Sequence, residues 1–187
     1  MKIFFIRHGK TAGNLEKRYI GKTDEALCDI GIDEIKKSRY PDAEIVICSP
    51  MKRCIQTADI IYPDKKAVLY NDLKECDFGD FEGKNYTELS ANNDYLKWLE
   101  SMGKMPFPNG ESHEHFTNRC VNDFEKSIDD FKSYEKIAYV VHGGTIMSVL
   151  EKFAVPKKSF YDFQVRNGGG YICEYSGGKI QIIEEFL

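Results

Sequence analysis

Apolar residues in this chain fall into two recurring patterns: short solid runs, and longer stretches with an apolar residue at every third or fourth place. The first run, Lys2 to Ile6, is rich in aromatic and β-branched residues, which predicts a buried strand. It stops at Arg7-His8-Gly9, after which Thr11 is placed to cap a helix and Gly13 to Asp29 reads as a polar loop. Ile32 and Ile35 then recur at helical spacing behind Asp29, a predicted cap, and Pro41 ends the run. Ala43 to Cys48 is a second buried strand. Ser49 and Pro50 follow as cap and first helical residue, predicting a helix over Met51 to Ile61.

Ala67 to Tyr70 reads as a short strand, Leu73 to Gly83 as an irregular loop, Tyr86 to Glu100 as a helix and Met105 to Glu111 as an ordered loop. Phe116, Cys120, Phe124, Ile128 and Phe131 mark a long amphipathic helix over Ser112 to Lys132. Lys136 to Val141 is a third buried strand, ending in His142-Gly143-Gly144, with a helix over Thr145 to Phe153. Phe160 to Val165, Gly170 to Tyr175 and Lys179 to Phe186 read as strands, the last two joined by the hairpin Ser176-Gly177-Gly178. Strands alternating with helices predict an α/β fold: a three-layer α/β/α sandwich with a mostly parallel central sheet and an antiparallel C-terminal addition.

At 187 residues and 42% hydrophobic content the chain has enough material for one well-buried core, so a single domain over 1–187 is expected. Lys plus Arg is 26 against 30 Asp plus Glu, a net charge of −4, which argues against nucleic-acid or membrane partners and makes any anion site a local one. The six cysteines form no C-x-x-C pair and read as reduced thiols of a cytoplasmic protein. The apolar start is too short for a signal-peptide core or a membrane span. Oligomeric state is not legible.

Three strand ends carry polar groups: Arg7-His8, Ser49 to Arg53, and His142-Gly143. If the strands are parallel, these ends share one edge, the edge where open α/β sheets bind ligands. Two guanidiniums, two imidazoles and helix N-termini around one crevice suit a phosphate dianion. A neutral imidazole is a competent nucleophile, and two nearby arginines disfavour the imidazolium form. One ring nitrogen attacks while a backbone or side-chain acceptor, which the glycine turn after His8 can supply, holds the other. The leaving oxygen then needs a proton. Glu75, Asp77, Asp80 and Glu82 are the candidate acids, with Glu75 chosen because it starts its loop at a probable sheet edge. Taken singly, each arginine reads better as half of a surface ion pair and each histidine as a hydrogen-bonded core residue, and for Glu75 a solvated loop carboxylate is a live alternative. Their joint placement favours function. His113 and His115 point to different helix faces and make a poor metal pair, and no recognised metal-ligand spacing links His8, His142 and Glu75, so no metal and no cofactor are expected. Cys48 and Arg53 are one residue too close for the thiolate loop of a cysteine phosphatase.

Arg7-His8-Gly9 with Thr11 and Asn14, Ser49-Pro50 with Arg53 and Thr57, Leu73-Lys74-Glu75 with Phe78-Gly79 and Glu82-Gly83, Gly110-Glu111-Ser112, and Val141-His142-Gly143-Gly144 together resemble the successive motifs of the histidine phosphatase superfamily, the phosphoglycerate-mutase-like family. The resemblance runs from residue 3 to about residue 150. It implies that His8 becomes phosphorylated, that Arg7, Arg53 and His142 bind the transferring group, that Asn14 and the Gly143 amide are secondary contacts, and that Glu75 is proton donor and later base. Two departures stand out, Lys10 where Glu or Gln is common, and Ala26-Leu27-Cys28 for Pro-Leu-Thr; Lys10 would add charge near the mouth. A phosphomonoesterase of small phosphorylated substrates is expected, similar in size to α-ribazole-phosphate phosphatases and broad-specificity relatives. The alternatives are a phosphoglycerate mutase, a phosphoprotein phosphatase and a sensor of phosphorylated ligands.

Overall fold

The computed structural model describes residues 1–186. Strand β1 (Lys2–Arg7) runs into a short helix α1 (Ala12–Leu15), whose capping residue Thr11 accepts from Asn14 N while the Asn14 side chain accepts from Thr11 N. Helix α2 (Asp29–Lys37) leads to β2 (Ile45–Cys48), α3 (Lys52–Ile61) and β3 (Val68–Leu69). A segment with two short 3-10 turns, Asn71–Leu73 and Gly79–Phe81, precedes α4 (Asn93–Glu100) and α5 (His113–Asp130). The chain closes with β4 (Lys136–Val141), α6 (Gly143–Phe153), β5 (Ala154–Val155), β6 (Gly170–Ser176) and β7 (Lys179–Phe186).

The seven strands form one sheet in the order β3-β2-β4-β1-β6-β7-β5. Strands β3, β2, β4 and β1 are mutually parallel, so the carboxyl ends of β1, β2 and β4 lie on one edge, whereas β6 is antiparallel to both β1 and β7. Solid apolar runs follow from this position, because a central strand is covered on both faces and alternates between two cores. Ile3 and Phe5 meet Phe124, Ile128, Ile146 and Leu150 of α5 and α6, while Phe4 and Ile6 face the other way, toward Cys54 and Ala58 of α3. The fold is therefore the expected α/β sandwich with an antiparallel C-terminal addition.

Four expectations about elements change. Phe160–Phe163 is a 3-10 turn, not a strand: Ser159 and Asp162 close a capping box there, offering the backbone local partners. The helix expected from Tyr86 begins only at Asn93, because the Asn92 side chain accepts from Asp94 N and Tyr95 N and so starts it there. Cys28, not Asp29, occupies the cap position of α2. Helix α3 likewise starts at Lys52, leaving Ser49 and Pro50 outside it and the serine hydroxyl free for other work.

Phe124 is fully buried among the rings of Phe5, Tyr139 and Phe153, with centroids 5.9, 5.4 and 5.4 Å away. Phe124→Ala is expected to lower the unfolding free energy by about 3–5 kcal/mol, measured by urea denaturation. Tyr134→Ala, on the exposed loop before β4, is expected to stay within about 0.5 kcal/mol.

Candidate active site

Where β1 ends, the chain turns out of the sheet between β4 and the segment before β6. His8 N donates to Val141 O at 2.9 Å, and Gly168 N donates back to Arg7 O at 3.0 Å, so the Arg7-His8 backbone is fixed from both sides. Gly9 follows without a left-handed φ. Its missing Cβ instead makes room for α2, since a methyl group there would lie 3.0 Å from Ile35.

His8 is buried, and its Nδ1 lies 2.7 Å from Gly9 O. A carbonyl only accepts, so Nδ1 carries the proton and Nε2 keeps the lone pair. Burial lowers the imidazole pKa well below its ordinary value, and the charges of Arg53 and Arg7 push the same way. His142, at the end of β4, packs edge-on against His8 with ring centroids 5.2 Å apart. Its Nε2 lies 2.8 Å from Ser49 Oγ, and its pKa is lowered by burial first and Arg53 next. Both rings are neutral at ordinary pH.

Arg53, in the first turn of α3, has no solvent exposure at all. Its Nη1 and Nη2 donate to Thr23 O and Gly21 O, each at 2.8 Å, and its Nε is buried without a partner. Arg7 donates from Nη1 to Val165 O at 2.7 Å, and its Nε is likewise buried and unpartnered. Burial lowers the Arg7 pKa, opposed by Glu75 and assisted by Arg53. Two orphaned guanidinium N–H groups beside two neutral imidazoles are an anion site with its donors unspent.

Glu75 stands opposite, its Oε1 accepting from Cys76 N at 3.0 Å and its Oε2 from Gly144 N at 3.2 Å in the first turn of α6. Two glycines permit this: a Cβ on Gly144 would lie 2.3 Å from Glu75 Oε1, and one on Gly143 would sit against the Arg7 guanidinium. The N-terminal end of α6 adds its positive dipole end to the same wall.

Arg7, His8, Asn14, Glu75 and Gly143 line one cleft of about 470 Å³. Arg53 and His142 are not on its wall; they are buried beneath it, behind His8. Glu75 is the only carboxylate lining the cleft among the described residues. The other candidate acids have other partners. Asp77 accepts from Gly79 N and Lys22, Asp80 from Asn109, and Glu82 from the amides of Gly21 and Thr23. His113 lines the cleft and His115 points outward. Lys10 does not add charge to the mouth: it pairs with Glu34 at 2.6 Å, away from the cleft. Phe81 is fully buried and so not part of the rim, which is built from Tyr19, Phe78, Trp98, Phe107 and Tyr161.

Ser49, placed by sequence at the polar end of the second strand, faces His142, and two contributors escaped the sequence reading. Asn167 donates to His8 O at 3.1 Å and to Asn14 Oδ1 at 3.2 Å, which leaves the Asn14 amide NH₂ free. Arg119 grips the backbone of the Glu75 segment. No residue pattern along the chain announces the last two. Among the described residues, no group of three or more His, Cys, Asp or Glu side chains is gathered as metal ligands, and no helix is long and apolar enough to cross a membrane.

A buried imidazole with its lone pair free, guanidinium donors near it and one carboxylate lining the same cleft can perform phosphoryl transfer. Known proteins resemble this chain in sequence and in fold. The chain is 25% identical over 177 residues to the adenosylcobalamin/alpha-ribazole phosphatase of Escherichia coli, covering 90% of this chain and 87% of that protein. It is 32% identical over 162 residues to phosphoglycerate mutase-like protein 4 of Arabidopsis thaliana, covering 81% and 70%. The solved alpha-ribazole phosphatase from Shigella flexneri shares the fold at a TM-score of 0.88 and 22% identity, over 100% of this chain and 96% of that one. Residues 3–185 match the sequence profile of the Histidine phosphatase superfamily (branch 1), nearly the whole length, so the chain belongs to that superfamily and is a phosphatase.

Proposed function

We propose that the chain hydrolyses small phosphorylated metabolites through a covalent phosphohistidine on His8. One observation carries this reading: His8 Nδ1 is tied to Gly9 O while burial and two guanidiniums keep the ring neutral, which leaves Nε2 as a nucleophile. In the first step Nε2 bonds to phosphorus as the ester P–O bond breaks, and Glu75 gives its proton to the departing oxygen. Arg7 on the cleft wall donates to the equatorial oxygens, the charge of the buried Arg53 adds to the same field, the neutral His142 ring supports His8 from beneath, and the Asn14 side chain and the Gly143 amide are secondary contacts. In the second step water bonds to phosphorus, the N–P bond breaks, and Glu75 takes the water proton, which restores both residues.

A small substrate fits the walls. Beyond the phosphate end the cleft is lined by Tyr19, Phe78, Trp98, Phe107, Phe160 and Tyr161, a concave apolar chamber that suits the leaving group of a small ester better than the flat surface of a phosphoprotein. The adenosylcobalamin/alpha-ribazole phosphatase of Escherichia coli is among the relatives, which supports a small phosphorylated substrate. A sensor of phosphorylated ligands would need neither a free Nε2 nor a carboxyl opposite it. A mutase would bind a sugar acid, and Arg18 on the rim is already paired with Glu16 and Glu88. The mechanism uses no metal or other cofactor. Six unpaired cysteines support a reducing, cytoplasmic setting.

Incubation with 4-nitrophenyl phosphate in chelator, followed by quenching and intact mass measurement, is expected to show an acid-labile phosphorylated species in the wild type. His8→Ala is expected to lose both that species and turnover, the latter by about 10³-fold or more; near-wild-type activity would overturn the reading. The neutral imidazoles have a second consequence. Their folded pKa values lie below the unfolded one, so as pH falls through about 6.5 the unfolded chain binds protons that the folded chain refuses. Stability is therefore expected to fall from pH 7 to pH 5 in urea titrations, with a shallower slope in His142→Asn.

A further inference from the structure

Glu75 lies between two 3-10 turns on a segment that no strand holds. Arg119, in the middle of α5, supplies the missing anchor. Its Nε and Nη2 form a fork on the Glu111 carboxylate at 2.7 and 2.8 Å. The remaining protons go to backbone carbonyls: Nη1 donates to Asp72 O and Lys74 O at 2.6 and 2.7 Å, and Nη2 to Glu75 O at 2.9 Å. All five guanidinium N–H groups are thus used, three of them on the segment that carries Glu75.

Glu111 is placed to hold Arg119 in that pose. Its Oε2 accepts from Asp77 N at 3.3 Å and its Oε1 lies 2.6 Å from His115 Nδ1, while its own N donates to Asp77 O at 2.9 Å. Burial would raise the Glu111 pKa, but the hydrogen bonds and charge of Arg119 outweigh it and leave the group below its ordinary value. The Arg119 guanidinium also lies 4.9 Å over the Phe116 ring, and Phe116 lines the cleft. The Glu75 side chain is tied to Gly144 N at one end, and its backbone is tied to Arg119 at the other.

We propose that Arg119, locked by Glu111, is a positioning residue that aims the Glu75 carboxyl at the leaving oxygen. This rests on the reading of Glu75 as proton donor. Arg119 touches no substrate; it fixes the backbone from which the donor projects. A lysine in its place keeps the charge but loses the fork, and a displacement of the donor by about 1 Å costs up to about 10²-fold in rate.

The test compares kcat/KM for 4-nitrophenyl phosphate, whose phenolate leaves without a proton, with kcat/KM for a simple alkyl phosphate, whose alkoxide does not. This constant covers the steps up to departure of the alcohol, and the ratio of the two substrates in one preparation is independent of the fraction folded. In Arg119→Lys and Glu111→Gln the alkyl-to-aryl ratio is expected to fall about tenfold or more, and in Glu75→Gln at least as far. If Glu75→Gln lowers the ratio while the other two variants slow both substrates equally, the positioning role is overturned and the reading of Glu75 stands. If Glu75→Gln leaves the ratio unchanged, Glu75 is not the donor and both fall together.

Discussion

A guanidinium sealed inside the protein, answered only by carbonyl oxygens, is the costly element around which this site is built. Charges taken out of water cost several kcal/mol each unless their hydrogen bonds are supplied. Arg53 is answered at one remove: Gly21 O and Thr23 O accept from it, and the amides of the same two residues donate to Glu82 Oε1 at 2.8 and 2.9 Å. The loop whose carbonyls receive Arg53 is thus fixed from its other side by a carboxylate that has no hydrogen bond to the guanidinium. That arrangement keeps Arg53 free of a direct counter-ion. A direct carboxylate partner would weaken the charge that, after burial, does most to keep His8 and His142 neutral. Glu82, a candidate acid by sequence, serves here as the distant counterweight.

The sheet supplies the rest of the constraint. Strands β1 and β4 are central and parallel, so the positions just past them, His8 and His142, meet side by side with no special loop required. Helix α3 reaches the same point from the other face, and Gly9 N donates to Thr57 Oγ1 at 3.0 Å, fastening the turn after His8 to the helix that carries Arg53. Rigidity of this kind supports catalysis, because preorganised donors cost nothing to reorient during reaction.

Much of this was legible because the chemistry sits where local patterns change. Arg7 and His8 interrupt a solid apolar run, and His142 ends another; an abrupt polar residue at the end of a buried strand marks a sheet edge. Glu75 was harder, since an irregular acidic loop offers five charged residues and the choice among them depends on which amides point back. Arg119 and Asn167 were invisible for a different reason. Arg119 lies on the polar face of an amphipathic helix, where charge is the default, and its partners come from residues 72, 74, 75 and 111. The missed 3-10 turn at Phe160–Phe163 shows the same limit at short range: three aromatics in four residues resemble a strand until Ser159 and Asp162 are read as reciprocal caps.

The cleft divides along the chain as well as in space. The groups facing the phosphate arise mostly at strand ends, while Phe78, Trp98 and Phe107 on the outer wall belong to the long excursion between β3 and β4, which adds no strand to the sheet. Substitutions at Phe78, Trp98 and Phe107 change what the chamber admits and leave the two cores on the faces of the sheet intact, since none of the three belongs to them. What enters the cleft can therefore be retuned at a few outer-wall aromatics while the strand ends beneath them stay as they are.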